Sequence, residues 1–198
     1  VVLSLLGVDL LSYDDKQRVG FIGSYGNRWA NKVLGEADLL ITLGSRLDIK
    51  QTGADLKSFC SNKKIWQLDI DDNELGVRVK SQNYIVTSLI NFEQELRDFE
   101  FKLGSDFTKW NSRIEYLKLK YPSNKEYSPE RDEINPILFL EKLSSYSNSP
   151  AIYATDVGQH QMWCAQSLIL GINDRLITSG GMGAMGFGLP SAIGSYFG

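Results

Sequence analysis

Cysteine and histidine are scarce in this chain, which has two cysteines and one histidine among its 198 residues. Cys60 and Cys164 lie far apart in the sequence, and no other residues of the kind that bind metals flank them. Their placement therefore fits neither a zinc site nor a disulfide framework. Both cysteines are expected to be reduced, as in a cytoplasmic protein.

A strong charge of one sign and a long apolar run are also missing. The formal net charge is −3, so there is no electrostatic reason to expect nucleic acid or an anionic membrane as a partner. No apolar run is long enough to span a bilayer. The hydrophobic content of 42% is enough for a core, and the length suits one large domain or two small ones. These features predict a soluble globular protein.

Short apolar segments alternate with a helical one in the first part of the chain. Residues 30–37 predict a helix, whereas residues 39–43 and 65–70 predict buried strands that are followed by turn residues. Residues 84–86 predict one more strand, at an edge. Alternation of this kind indicates an open α/β domain with a parallel sheet covered by helices. Its first strand is expected to lie upstream of Val1.

Helical spacing dominates the middle of the chain. Apolar residues recur three or four positions apart in two sets, which are Leu89, Phe92, Leu96 and Phe99, then Trp110, Ile114, Leu117 and Tyr121. Pro122 is expected to end the second helix, and residues 123–133 are polar and predict an exposed linker. The predicted organisation is a first α/β domain over 1–103, a helix and linker over 104–133, and a second α/β domain that begins over 134–198.

The last part of the chain opens with a strong helix start, because Asn135 is a capping residue and Pro136 suits the first helical position. Strands are then predicted at 151–155 and 175–178, with a helix at 159–166 between them. A further helix is predicted from Met185 onward.

Two segments follow these two strands. The first, 156–163, reads D-V-G-Q-H-Q-M-W, and the second, 178–190, reads T-S-G-G-M-G-A-M-G-F-G-L-P with five glycines. Glycine at this density lets the backbone approach a ligand closely and offers its N–H and C=O groups for recognition. The helix that begins after Asp156 presents free N–H groups and a partial positive charge, which suit a diphosphate. Together the two segments predict a site for a phosphorylated cofactor.

A simpler interpretation of the first segment stays open. Gly158 could be only a turn, and His160, the one histidine, could be a structural residue with its hydrogen bonds satisfied. The pKa of a histidine lies near neutrality, which also suits a general base. Beside a diphosphate, however, His160 is expected to neutralise charge, while the cofactor supplies the chemistry.

The two segments resemble the pyrophosphate-binding domain of thiamine-diphosphate enzymes, above all that of the acetolactate synthase large subunit. Residues 23–28 and 37–48 resemble the central domain of the same family, so the likeness covers most of the chain. The resemblance implies an incomplete central domain with an open parallel sheet, followed by the start of a thiamine-diphosphate-binding α/β domain.

The resemblance also assigns contacts with thiamine diphosphate. Val157, Gly158, Gln159 and His160 would contact the diphosphate. The carbonyl of Gly183 would accept a hydrogen bond from the 4′-amino group of the pyrimidine, and the N–H of Met185 would donate to a ring nitrogen. The Met185 side chain would support the bent cofactor, a role that suits an apolar and adaptable side chain. The alternative is that Met182 and Met185 only fill the core.

FAD is a second cofactor that the resemblance raises, since biosynthetic acetolactate synthases hold it in the central domain. The residues of this chain that match that region are Gly23, Ser24, Gly44, Arg46, Asp69 and Asp71. The FAD-dependent forms usually carry G-x-R-F-D-D, whereas residues 44–49 read G-S-R-L-D-I, and no G-x-G-x-x-G fingerprint is present. Relatives without flavin keep the same loops, so both alternatives stay open.

The implied activity is the decarboxylation of pyruvate and transfer of its two-carbon unit to a second 2-keto acid, by a cytoplasmic homodimer or tetramer with or without a regulatory small subunit. The chain lacks an initiator methionine, the family's glutamate and its G-D-G…N magnesium segment. It is therefore expected to be a fragment, inactive alone, with no catalytic residue and no Mg²⁺ ligand of its own. The alternatives are a 2-keto acid decarboxylase, a carboligase for sugar-like acceptors, and a non-catalytic nucleotide- or partner-binding module.

Overall fold

The computed structural model describes residues 1–81, 83–97, 106–123, 133–148 and 150–198. Its strands are β1 (Val2–Leu3), β2 (Gly20–Phe21), β3 (Leu39–Leu43), β4 (Lys64–Asp69), β5 (Asn83–Val86), β6 (Ile152–Thr155) and β7 (Arg175–Thr178). Its helices are α1 (Arg28–Glu36), α2 (Ile49–Thr52), α3 (Leu56–Cys60), α4 (Leu89–Arg97), α5 (Thr108–Lys120), α6 (Pro136–Tyr146), α7 (Gln159–Ser167) and α8 (Gly188–Phe197). Among these described residues, no helix is both long and apolar enough to cross a membrane.

All strand pairs in the described residues are parallel, which confirms the predicted α/β class. β1 pairs with β2, β6 pairs with β7, and β3, β4 and β5 form a sheet in that order. β5 lies at the edge of its sheet, as the sequence predicted. Parallel pairs require crossover connections, which contain α2 and α3 between β3 and β4, and α7 between β6 and β7.

The chain divides into two compact units. The first unit comprises residues 1–32 and 116–198, and the second comprises residues 33–115. In the first unit, the side chains of β2, α6, α7 and β7 form a core whose buried members include Phe21, Leu140, Leu168 and Leu176. The core of the second unit is built around Leu47, Ile65 and Val79.

The boundaries of several predicted elements agree closely with the structure. β3 and β7 have the predicted limits, and α6 begins at Pro136 with Asn135 as its cap. The Asn135 carboxamide oxygen accepts hydrogen bonds from the N–H groups of Ile137 and Leu138, at 2.9 and 3.2 Å. Phe99 and most of the predicted linker at 123–133 lie outside the described residues, so the boundary at 104–133 stays a prediction.

Two local predictions were wrong. The last helix begins at Gly188 rather than at Met185, because Gly186 has a φ of 84° that interrupts helical geometry. β3 was expected to be buried, yet Leu39, Ile41 and Leu43 are each about half exposed. These three side chains share one face of the strand, whereas Leu40 on the other face packs against the core of the second unit.

Candidate functional site

The two glycine-rich segments begin at the same edge of one sheet. β6 and β7 pair in parallel, with Thr155 opposite Thr178 at their carboxyl ends. Asp156 and Ser179 therefore start two neighbouring loops. The first loop, 156–158, leads directly into α7, and the second, 179–187, leads into α8. Ligands of open α/β sheets commonly bind outside the carboxyl ends of the strands, which makes this edge the candidate site.

The amino end of α7 is open towards solvent. Gly158 occupies the cap position with φ 156° and ψ −171°, a conformation that is essentially restricted to glycine. No side chain among the described residues caps this helix, and Gly158, Gln159 and His160 are all exposed. The first turn of α7 thus offers uncapped N–H groups and the positive end of the helix dipole to an anion.

The rest of α7 is anchored beneath that open end. Gln161 is 3% exposed, and its Nε2 donates a hydrogen bond to Thr178 Oγ1 at 2.5 Å. This bond joins the first turn of α7 to the last residue of β7. Neither Gln161 nor Thr178 was among the predicted site residues, although Gln161 belongs to the quoted 156–163 segment.

The second loop is fixed at its start by Ser179. The carbonyl of Ser179 accepts a hydrogen bond from Gly183 N at 2.9 Å, and its hydroxyl accepts one from Ala184 N at 3.0 Å. Gly183 has a φ of 68°, in the left-handed region that favours glycine. These contacts form a compact turn that ends immediately before Met185.

Asp156 fixes the other end of the same loop. Its Oδ1 accepts a hydrogen bond from Gly186 N and its Oδ2 accepts one from Gly188 N, both at 2.9 Å. Val157 N also donates to Oδ1, at 2.8 Å. The N–H groups of Gly188, Val157 and Gly186 hold the pKa of the Asp156 carboxyl below its ordinary value, because they stabilise the ionised form. The sequence alone assigns Asp156 no role, because Gly186 and Gly188 lie some thirty positions further along the chain.

Between these two anchors, polar backbone groups are left free. Within the described residues, no hydrogen-bond partner is found for the Gly183 carbonyl or for the Met185 N–H. Met182 is 93% exposed and Met185 is 86% exposed, so in this chain neither side chain fills a core. A free donor and a free acceptor beside an exposed apolar side chain are groups that can bind a heteroaromatic ring.

These residues fit thiamine diphosphate at both of its ends. The open first turn of α7 suits the diphosphate, and the free Gly183 carbonyl and Met185 N–H suit the donor and acceptor atoms of a pyrimidine. The predicted contacts Val157, Gly158, Gly183 and Met185 lie in these two neighbouring loops, and Gln159 and His160 are the first two residues of α7. No group of three or more potential metal-ligating side chains is found in the part of the chain that the structure describes.

The predicted flavin residues fall in both units. In the first unit, Gly23 follows β2 with a φ of 112°, and the Asn31 carboxamide both donates to its carbonyl and accepts from its N–H, at 2.8 and 2.9 Å. Ser24 is the exposed next residue of this turn. Asn31 therefore holds the turn, a role that the sequence alone did not predict.

In the second unit, the other four flavin candidates gather at the carboxyl ends of β3 and β4. Gly44 directly follows β3 and donates its N–H to the Leu68 carbonyl at 2.9 Å. Asp69 Oδ1 accepts from Asp71 N at 3.1 Å, and Asp71 caps the short 3₁₀ turn at 72–74. Arg46 lies 3.6 Å from Glu74 as an ion pair. Asp71 thus has the capping role expected of a turn residue.

Comparison with known proteins agrees with this geometry. Residues 1–96 match the family described as thiamine pyrophosphate enzyme, central domain, and residues 156–197 match the C-terminal TPP binding domain. The chain is 38% identical to the acetolactate synthase large subunit of Lactococcus lactis subsp. lactis (strain IL1403), over 98% of this chain and 33% of that protein. It is 36% identical to acetolactate synthase 2, chloroplastic, of Nicotiana tabacum, over 100% of this chain and 30% of that protein. The chain spans about a third of the length of the curated relatives it matches.

Proposed function

Since this chain belongs to the thiamine pyrophosphate enzymes, we propose that it works as part of an acetolactate synthase. The complete enzyme would decarboxylate pyruvate and join the two-carbon unit to a second 2-keto acid. The proposal is supported by relatives named acetolactate synthase that align with nearly the whole chain. Because those relatives are about three times longer, the activity is proposed for a longer protein that contains this sequence.

The observation that carries this proposal is the pair of loops at the carboxyl edge of β6 and β7. Val157 to His160 would bind the diphosphate through the open end of α7. The Gly183 carbonyl and the Met185 N–H would bind the pyrimidine. The bound cofactor would supply an acidic carbon and an electron sink for decarboxylation.

The protein side chains at this site would bind and shield rather than react. His160 is exposed at the first turn of α7, where its ring can donate a hydrogen bond to a phosphate oxygen. The apolar Met185 side chain would cover the cofactor and exclude water from it. In this proposal, therefore, none of the described residues is assigned as a catalytic acid or base.

The two exposed methionines of the second loop offer a matched test of the cofactor site. Met185→Ala is expected to weaken thiamine diphosphate binding roughly tenfold, which corresponds to about 1.4 kcal/mol. Met182→Ala, in the same loop and even more exposed, is expected to change the dissociation constant less than about threefold. Titration calorimetry with Mg²⁺ present measures both. Equal losses in the two variants would contradict the assigned contact.

The reaction is tested with the full-length enzyme, pyruvate, Mg²⁺ and thiamine diphosphate, with the products followed by NMR. Acetolactate supports the proposal. Acetaldehyde with carbon dioxide would instead identify a 2-keto acid decarboxylase, and a ligated sugar-like acceptor would identify a different carboligase. Absence of cofactor binding would favour a non-catalytic nucleotide- or partner-binding module.

The remaining features of the complete enzyme are part of the same proposal. It would be a cytoplasmic homodimer or tetramer, with or without a regulatory small subunit, and would hold Mg²⁺ through residues outside this sequence. Light scattering measures the oligomeric state. The candidate FAD residues of the second unit are Gly44, Arg46, Asp69 and Asp71, at the carboxyl ends of β3 and β4, and those of the first unit are Gly23 and Ser24. The flavin absorbance of the purified protein tests this.

A further inference from the structure

We propose that Asp156 is a positioning residue that holds the two loops of the cofactor site at a fixed separation. The inference rests on the function proposed above, because it assigns Asp156 to the residues that would hold the diphosphate and the pyrimidine. Asp156 itself would touch neither part of the cofactor.

The contacts of one carboxylate carry the inference. Asp156 is joined by its own backbone to Val157, the first residue expected to contact the diphosphate. Its Oδ1 and Oδ2 accept hydrogen bonds from Gly186 and Gly188, both at 2.9 Å. Gly186 directly follows Met185, the residue expected to contact the pyrimidine. The Asp156 side chain thus connects the expected diphosphate contact at Val157 with the expected pyrimidine contact at Met185, through one hydrogen bond to Gly186 and the adjoining backbone.

The approach between the loops is also unusually close at Gly188. A Cβ at this position would lie 2.8 Å from the backbone N of Asp156 and 3.2 Å from the Thr155 carbonyl carbon. Both atoms belong to one peptide unit of the backbone, which cannot turn aside as a flexible side chain would. The loops are therefore seated against each other at Asp156 by shape as well as by hydrogen bonds.

Only an ionised carboxylate fits this arrangement of donors. Three N–H groups face the side chain, and a carboxylate can accept all three because both of its oxygens are acceptors. In Asp156→Asn, one oxygen becomes an NH₂ group that opposes an N–H. At least one glycine N–H then loses its partner, and the 185–188 segment is released at one end.

Asp174 supplies a matched control in the same unit. Its carboxylate also accepts two backbone hydrogen bonds, from Ala151 N and Gly171 N, each at 2.7 Å. Asp174 lies just before β7, at the opposite end of the strands from the cofactor loops. Asp174→Asn therefore changes the same chemistry in a buried position without touching the proposed site.

The first measurement is amide hydrogen exchange by mass spectrometry on the cofactor-free full-length protein. Asp156→Asn is expected to speed exchange in peptides covering 179–188 about tenfold, while peptides from α6 keep the wild-type rate. Asp174→Asn is expected to leave 179–188 unchanged and to speed exchange near Ala151 and Gly171. This readout needs neither cofactor nor activity.

The second measurement is the dissociation constant of thiamine diphosphate. Asp156→Asn is expected to raise it roughly 10- to 100-fold, as for the loss of a hydrogen bond to a charged group. Asp174→Asn is expected to raise it less than about threefold. Asp156→Glu keeps both acceptor oxygens, so its dissociation constant is expected to stay within about tenfold of the wild-type value. This variant still tests the inference if Asp156→Asn does not fold.

The inference would be overturned if residues 179–188 of the Asp156→Asn protein exchanged at the wild-type rate. It would also be overturned if Asp174→Asn lost as much affinity for thiamine diphosphate as Asp156→Asn. Failure of the proposed function gives a different result. In that case the wild-type protein does not bind thiamine diphosphate, while the exchange measurement still decides whether Asp156 holds the two loops together.

Discussion

Replacement of Gly188 by alanine tests how α8 is seated on β6. The added Cβ would lie 2.8 Å from Asp156 N, 3.2 Å from Asp156 Cβ and 3.2 Å from the Thr155 carbonyl carbon. Two of these three atoms belong to the backbone, so the start of α8 must move away from the strand. That movement would lengthen the hydrogen bond from Gly188 N to Asp156 Oδ2, now 2.9 Å.

The expected destabilisation follows from these two effects. Forcing an extra carbon into a well-packed position costs about 1–3 kcal/mol, and loss of a hydrogen bond to a charged group costs about 1.5–3 kcal/mol. The same shift of α8 relieves the steric clash and breaks the hydrogen bond, so the two energetic costs are not fully additive. We therefore expect Gly188→Ala to lower the free energy of unfolding by about 2–4 kcal/mol.

Gly194→Ala is the matched control in the same helix. Gly194 lies inside α8, and in the part of the chain that the structure describes no atom lies within 4 Å of a Cβ built there. Alanine there removes only the conformational cost of glycine, so a stabilisation of about 0.5–1 kcal/mol is expected. Both variants replace glycine by alanine in one helix, and their effects on the free energy of unfolding are expected to have opposite signs.

Urea unfolding followed by tryptophan fluorescence measures both variants. In a background with Trp66 and Trp110 replaced by phenylalanine, the remaining Trp29 and Trp163 both report on the first unit. A Gly188→Ala protein within about 0.5 kcal/mol of its parent would refute the seating of α8 against Asp156.

Three further predictions concern the cap of α6, the buried thiol of Cys164 and the carboxylate of Asp156. Asn135→Ala is expected to cost about 1 kcal/mol in urea unfolding, because it removes the side-chain cap of α6; a neutral effect would contradict the cap. Burial raises the pKa of the Cys164 thiol to about 11, so iodoacetamide at neutral pH is expected to modify Cys60 alone in the folded protein, and mass spectrometry detects any label on Cys164. The folded-state pKa of Asp156 is lowered, so its stabilising contribution is present above the ordinary value of 3.8 and is lost as pH falls through the lowered value. The difference in unfolding free energy between wild type and Asp156→Asn is therefore expected to shrink in acid, and a difference that grew instead would contradict the assigned hydrogen bonds.

Local signals were enough to predict much of the fold. Asn135 followed by Pro136 defines the start of α6 because both preferences act within one helical turn. Residues 39–43 and 175–178 are recognisable as strands because apolar and β-branched residues there are bounded by turn residues. The prediction of a parallel sheet follows from the alternation of such strands with helices.

Contacts between distant parts of the chain could not be predicted in the same way. The sequence predicts a helix from Met185 onward, yet α8 starts only at Gly188, whose N–H donates a hydrogen bond to Asp156. The exposure of one face of β3 likewise depends on what packs on the sheet, because the apolar sequence of this strand is by itself typical of a buried strand. The resemblance located the cofactor segments, but Asp156 and Gln161 gained roles only from the paired ends of β6 and β7.

The arrangement of the second loop explains why its glycines occur at particular positions. Gly183 and Gly186 have φ values of 68° and 84°, and no atom of the described residues lies within 4 Å of a Cβ at either position. Backbone conformation rather than space therefore calls for glycine there. Ser179 holds the chain before Met185 and Asp156 holds it after, and the two left-handed glycines bracket the free Met185 N–H. A loop fixed at both ends loses little conformational entropy when it binds a ligand. The same loop without its anchors would have to be ordered by the cofactor, at the expense of affinity. The glycines thus give the backbone its shape, and Ser179 and Asp156 hold that shape before any ligand arrives.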